Sequence, residues 1–251
     1  MELTAYLNLL FDSGSFVERV DRVAEAGYDG VEFFGWDRDA AAIADRCADH
    51  GLDLAYMSGE RPPLTDPDRA DEAVESAESS IDLAAEVGCA DLNVKAGPAQ
   101  PALDSATQRR AVVDTLRRVA PAAEAAGVTL VLEPLNTRVD HPGHFTTTAA
   151  EGAELVAAVE SPAVKLLFDC YHEQIAHGDV IRSFREHREH VGHVHVADNP
   201  GRHEPGTGEL NYGNVLAAIR DAGYEGYVGC EFTPTGDPLD ALADVKSLVE
   251  G

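Results

Sequence analysis

Lysine is nearly missing from this 251-residue chain: Lys95, Lys165 and Lys246 are the whole complement, and 19 basic residues face 45 Asp and Glu. The resulting formal charge of -26 repels phosphate backbones and anionic headgroups, so neither nucleic acid nor a membrane surface is an expected partner. Long hydrophobic runs are missing too. No stretch approaches the roughly 20 apolar residues that cross a bilayer. The opening MELTAYLNLLF carries an acid where a secretory leader carries basic residues, so the expected location is the cytoplasm. The four cysteines (Cys47, Cys89, Cys170, Cys230) form no CxxC pair and no disulfide framework, and they are expected as buried thiols. High net charge is often a mark of disorder, but 44% of the residues are hydrophobic and regularly spaced. The charge is read instead as adaptation to a salty cytoplasm, where screening removes the self-repulsion.

What is present is an alternation of strand and helix that never breaks. Strand-like runs occupy 3–11, 30–34, 52–59, 91–97, 128–136, 164–172, 191–198 and 227–234. Helical spacing fills the gaps, notably at 15–27, 105–126, 211–222 and 237–249. The joints AGYDG, HGLDL, VGCAD, AGVTL and AGYEG repeat one device, a Gly that ends a helix just before the next strand. Loops after strands are longer and rich in Pro, Gly and His. That asymmetry predicts a single (β/α)8 TIM barrel over 1–251 with its site on the C-terminal face. A doubly wound open sheet is the competitor, but no GxGxxG follows the first strand.

Four strands end in a residue able to bind a metal. VTLVLEPLN delivers Glu133, VKLLFDCYH delivers Asp169, VGHVHVAD delivers His195 and YVGCEFTP delivers Glu231. A carboxylate in an apolar run is costly unless paired or metal-bound, and a salt bridge to a barrel Lys or Arg is the plain alternative. Three acids converging on one mouth repel unless a cation neutralises them. With one imidazole added, the donor set suits Mn²⁺ or Mg²⁺, with Co²⁺ also admissible. His193 sits deeper and is read as a hydrogen-bonded core histidine. His172 should reach the mouth and hold a substrate oxygen. Arg202 and Arg138 are rim arginines whose planar forks could grip a carboxylate, against the plainer reading of solvated loop charges. Phe34 and Trp36 could pack over a substrate.

With LEPLNTR (132–138), FDCYHEQIAHGD (168–179), HVHVADNPGRHEPGTGELNY (193–212) and YEGYVGCEFTPTGD (224–237) assembled, the chain resembles the hydroxypyruvate isomerase family of xylose isomerase-like TIM barrels. The resemblance runs over essentially the whole length. It implies a divalent metal at Glu133, Asp169, His195 and Glu231, with Glu133 and Glu231 also moving the proton. It further implies conversion of hydroxypyruvate to tartronate semialdehyde through an enediolate. There is one departure: hydroxypyruvate isomerases often carry Gln at the position of His195, where ketose 3-epimerases carry His. A ketose 3-epimerase, or another small sugar-acid isomerase such as a 2-oxo-tetronate isomerase, therefore stays open, and the expected partner is a small hydroxy-keto acid or ketose. The sequence leaves room for a homo-oligomer. An endonuclease IV-like repair enzyme would need basic phosphate contacts, which this composition does not supply.

Overall fold

Residues alternate sides along a strand, and here the two sides differ in chemistry, which decides how the sheet is used. The computed structural model describes residues 1–35, 38–59 and 61–250. Within them β1 (Glu2–Tyr6), β2 (Gly30–Phe34), β3 (Asp53–Ser58), β4 (Asp91–Val94), β5 (Thr129–Leu132), β6 (Val164–Asp169), β7 (Val191–Val196) and β8 (Tyr227–Cys230) each pair in parallel with the next. β8 returns to pair with β1, Leu3 opposite Val228, and the sheet closes. This is the (β/α)8 barrel that the alternation predicts.

The helices are α1 (Leu7–Leu10), α2 (Phe16–Ala26), α3 (Ala40–His50), α4 (Ala70–Val87), α5 (Ser105–Ala126), α6 (Ala149–Val159), α7 (Cys170–Ala176), α8 (Val180–His187), α9 (Tyr212–Asp221) and α10 (Pro238–Glu250). Their starts are written in capping chemistry. Ser15 with Glu18 and Thr148 with Glu151 form reciprocal capping boxes for α2 and α6, and Asp39 and Asp104 cap α3 and α5. The repeated Gly joints work as read: Gly27, Gly51, Gly88 and Gly127 end their helices with φ near 70°, where a Cβ would be strained.

Outward strand residues such as Val31, Leu92, Leu130, Leu166, Val194 and Val228 pack against the helices in one apolar annulus. Burying each such side chain contributes about 1.5–3 kcal/mol. The lumen is different. Thr4, Glu32, Ser58, Asp91, Asn93 and His193 fill it with polar groups, all buried, beside Tyr6, Tyr56, Val131 and Leu167. All four cysteines are free and buried, as expected. No helix among the described residues is long and apolar enough to cross a membrane.

The strands β1, β4, β5, β6, β7 and β8 all end short of the runs read from the sequence, and in β1 and β6 the local reason is visible. The run 3–11 stops extending at Tyr6, because the Asn8 amide pairs with the Phe34 backbone, donating to its carbonyl at 3.0 Å and accepting from its N–H at 2.7 Å. A side chain there replaces the next backbone rung, and the chain turns into α1. The run 164–172 stops at Asp169, whose Oδ1 accepts from the N–H of Tyr171 at 2.7 Å and of His172 at 3.1 Å. Asp169 thereby caps α7, a helix that the sequence pattern hid inside a strand.

Candidate metal centre and active site

Glu133 follows β5, Asp169 closes β6, His195 sits one residue before the end of β7 and Glu231 follows β8. These four buried side chains stand together at the C-terminal mouth, and one ligand atom from each lies within 4.8 Å of the others. Three of the four are held by further partners. Glu133 Oε2 accepts from Asn93 Nδ2 at 2.8 Å, and Asp169 Oδ1 holds the start of α7. His195 Nε2 meets Glu32 Oε2 at 2.8 Å.

His195 Nδ1 and Glu231 Oε2 approach to 3.0 Å but out of line, so each is a buried atom without a hydrogen bond. Burial pushes the Asp169 carboxyl up, and Glu231 adds to the effect. Burial would also raise Glu231, but Arg202 and then His195 hold it below the usual carboxylate range. Burial alone would lower the His195 imidazole, yet Glu32 and Glu231 raise it well above its ordinary value. Three carboxylates and an imidazole gathered within 4.8 Å of one another, with His195 Nδ1 and Glu231 Oε2 lacking a hydrogen bond, fit a hard divalent cation.

Arg202 reaches the cluster from the loop after β7. Its Nη2 stands 2.7 Å from Glu231 Oε2 and 4.0 Å from Asp169 Oδ2, and its guanidinium lies 5.3 Å above the Tyr171 ring. The residue has a φ of 56°, a left-handed conformation uncommon outside glycine. The loop enforces it. The buried Asp198 carboxylate accepts from the N–H groups of Asn199, Gly206, Gly208 and Leu210, folding residues 198–210 around a single anion. His203 and Glu204 bond to Thr233 and Thr235, and Glu209 to Asn199, so these three serve the loop.

His172 is buried on α7 beside Asp169. Asn136 Nδ2 approaches its Nδ1 at 2.7 Å, and the amide is oriented because its Oδ1 accepts from Val139 N and Asp140 N. Nδ1 is therefore the acceptor, and the ring proton sits on Nε2, a buried atom with no hydrogen bond, 3.7 Å from Asp169 Oδ2. Burial pushes this imidazole down to about 4, so it is neutral near pH 7. Phe34 is half-buried, with Lys95 Nζ 5.5 Å from its ring centre. Arg138 is exposed, and Trp36 lies outside the described residues.

A protein-family model described as "Xylose isomerase-like TIM barrel" matches residues 20–249. The chain belongs to the xylose isomerase-like TIM barrel family. Among curated members, a 2-oxo-tetronate isomerase of Cupriavidus necator is 33% identical over 96% of both chains. A hydroxypyruvate isomerase of Escherichia coli is 30% identical over 93% of this chain and 94% of its own. With relatives of this kind over its length, the chain is an isomerase of the family. Among solved structures, one titled as an AP endonuclease, family 2, from Brucella melitensis superposes with a TM-score of 0.91 at 33% identity, over 98% of this chain and 99% of that one. A D-psicose 3-epimerase superposes with a TM-score of 0.84 at 22% identity, full length on both sides, a likeness of fold.

Sequence reasoning passed over three residues of this family member's lumen. Glu32, Asp91 and Asn93 are buried polar groups tied to the site, Asn93 through Glu133 and the other two through the histidines of β7. The signal was there: GVEFF places Glu32 in an apolar strand as plainly as VGCEF places Glu231. His193 is the core histidine expected, with Nδ1 2.8 Å from Asp91 Oδ2 and Nε2 3.0 Å from Glu32 Oε1.

Proposed function

We propose that this isomerase acts on small 2-oxo-hydroxy acids with the help of a divalent cation, hydroxypyruvate to tartronate semialdehyde being the reference reaction. The observation that carries the reading is the pair Glu133 and Glu231, two buried carboxylates at the ends of different strands, in one cluster with Asp169 and His195. The cation, Mn²⁺ or Mg²⁺ from the oxygen-rich donors, would be held by these four and would polarise the substrate carbonyl and its neighbouring hydroxyl.

The chain's own groups do the rest. One glutamate takes the proton from the carbon beside the carbonyl, and a glutamate returns a proton to the neighbouring carbon. Depression of Glu231 by Arg202 and His195 keeps it ionised, the form in which a carboxylate can accept a proton. Neutral His172 offers its Nε2 proton to a substrate oxygen. Arg202 supplies positive charge beside Glu231, where the carboxylate of an oxo acid would be drawn. Arg138, exposed on the rim, would contribute only to approach.

The names of the relatives, 2-oxo-tetronate isomerase and hydroxypyruvate isomerase, agree on a small oxo acid as substrate. A second reading rests on His195: the ketose 3-epimerases carry His there, and the same two glutamates on opposite faces of one carbon would epimerise it. The test is a paired assay on cation-stripped protein in concentrated potassium chloride. Hydroxypyruvate, a 2-oxo-tetronate and fructose are each supplied with Mn²⁺, Mg²⁺ or no cation. Cation-dependent turnover of either oxo acid is the expected result. Turnover of fructose alone would move the protein to epimerisation, and turnover without any cation would remove the metal from the scheme.

A further inference from the structure

Behind the acid cluster lies a second polar assembly that a four-ligand description leaves without a task. Glu32 is fully buried at the centre of the lumen. Its Oε1 accepts from Thr4 Oγ1 and faces His193 Nε2 at 3.0 Å, while its Oε2 faces His195 Nε2 at 2.8 Å. His193 is anchored at its far side by Asp91, 2.8 Å from Nδ1. The carboxylate also needs its neighbour to be glycine. Position 229 pairs with His195 across β7 and β8, and a Cβ there would stand 2.3 Å from Glu32 Oε1 and 2.7 Å from Oε2. Three other strands, β1, β7 and β8, thus meet the one carboxylate of β2, and it touches the acid cluster through the His195 ring.

We propose that Glu32 is a positioning residue, held by Thr4 and the His193–Asp91 pair, that fixes the His195 ring with Nε2–H turned inward and Nδ1 presented to the cation. An imidazole can offer a metal only one nitrogen, and the partner of the other nitrogen decides which. Glu32 claims Nε2. Tyr6 and Tyr56 meet the ring at centroid distances of 6.2 and 5.2 Å, which limits rocking about its axis. Nδ1 then points at Glu231 and the other ligands, where it stands without a hydrogen bond. Glu32, His193 and His195 could themselves be suspected of holding an ion. Their nitrogen–oxygen separations of 2.8–3.0 Å are hydrogen-bond lengths, and both Glu32 oxygens are engaged, so the three position rather than ligate.

The inference rests on His195 being a ligand, and the experiment separates the two. Cation-stripped wild type and the Glu32→Gln, Thr4→Val and His195→Ala variants are titrated calorimetrically with Mn²⁺, well below their unfolding temperatures. Wild type should take one equivalent, with His195→Ala markedly weaker. Glu32→Gln should bind about 10–100-fold more weakly at unchanged stoichiometry. Thr4→Val keeps the carboxylate and every ligand, so it covers the case in which Glu32→Gln fails to fold; a several-fold loss is expected. In Mg²⁺-loaded, ¹⁵N-histidine-labelled protein, long-range ¹H–¹⁵N spectra should place the His195 proton on Nε2 in wild type and lose that signature in Glu32→Gln. A purely structural Glu32 would lower the melting temperature and leave affinity and ring proton unmoved, overturning the proposal. So would loss of a second equivalent of Mn²⁺ in Glu32→Gln. If His195→Ala binds as wild type does, the ligand assignment falls first and this inference with it.

Discussion

Asn136 holds the Nδ1 side of His172 at 2.7 Å, and through that contact a buried amide on the loop after β5 decides which way a ring on α7 can donate. Replacing Asn136 with Asp keeps the shape and reverses the polarity of the contact. The ring proton should move to Nδ1, and kcat/KM should fall about 10–100-fold, or roughly 1.4–2.7 kcal/mol. Steady-state kinetics and the ¹⁵N shifts of His172 check this together. Unchanged kcat/KM would take His172 out of substrate binding.

Glu133→Gln and Glu231→Gln should each cost about 10²–10⁴-fold in turnover while the far-ultraviolet spectrum stays that of wild type. The variants differ in a way that can be read separately. Glu231→Gln also removes the anion facing Arg202 and His195, so its cation affinity should fall more than that of Glu133→Gln, whose partner Asn93 is neutral. Retained turnover in either variant would end the two-glutamate scheme.

Acid should act on the buried histidines before it reaches the carboxylates. Burial holds His172 and His144 at about 4, whereas in the unfolded chain each takes up a proton near 6.5. Between those values the unfolded state binds more protons at these two groups, so their contribution to stability falls as pH drops through that window and returns on neutralisation. His193 and His195, which burial would lower but Glu32 raises, act the other way. His172 and His144 each contribute roughly 1–2 kcal/mol of that fall by pH 5. Asp169, pushed up by burial and Glu231, acts in the opposite sense: its contribution is present at low pH and is lost as pH rises through its folded value. Urea midpoints at pH 7.5 and 5 for wild type and His144→Gln isolate one histidine. The variant should lose less on acidification, and equal losses would contradict the assignment.

With 45 acidic against 19 basic residues, self-repulsion should limit stability at low ionic strength. At molar potassium chloride the screening length is about 3 Å, and the melting temperature should be higher than in dilute buffer by several degrees or more. A melting temperature indifferent to salt would dispose of the high-salt reading.

The barrel was legible because its cues are local: the capping pairs, the glycine joints and the alternation of each strand lie within a few residues of one another. The ends of β1 and β6 were not, since Asn8 and Asp169 look like strand residues until the backbone groups they bind are known. Glu133, Asp169, His195 and Glu231 could be picked out as acids and an imidazole in apolar runs. Arg202 could be named, but its pairing with Glu231 depends on a left-handed turn set by Asp198, a contact network no periodicity encodes. Glu32 carried the same signal as Glu231 and was missed because its strand ends without a Pro- or His-rich loop to draw attention to it.

The strands of this barrel carry two interleaved texts. In β7, Val194 and Val196 spell cohesion on the outer side while His193 and His195 spell chemistry on the inner one. A slip of one residue would exchange the texts, sending both imidazoles into oil and both valines into the lumen. A misregistered barrel would therefore be unstable and inert at once, so any selection for activity also proofreads the fold.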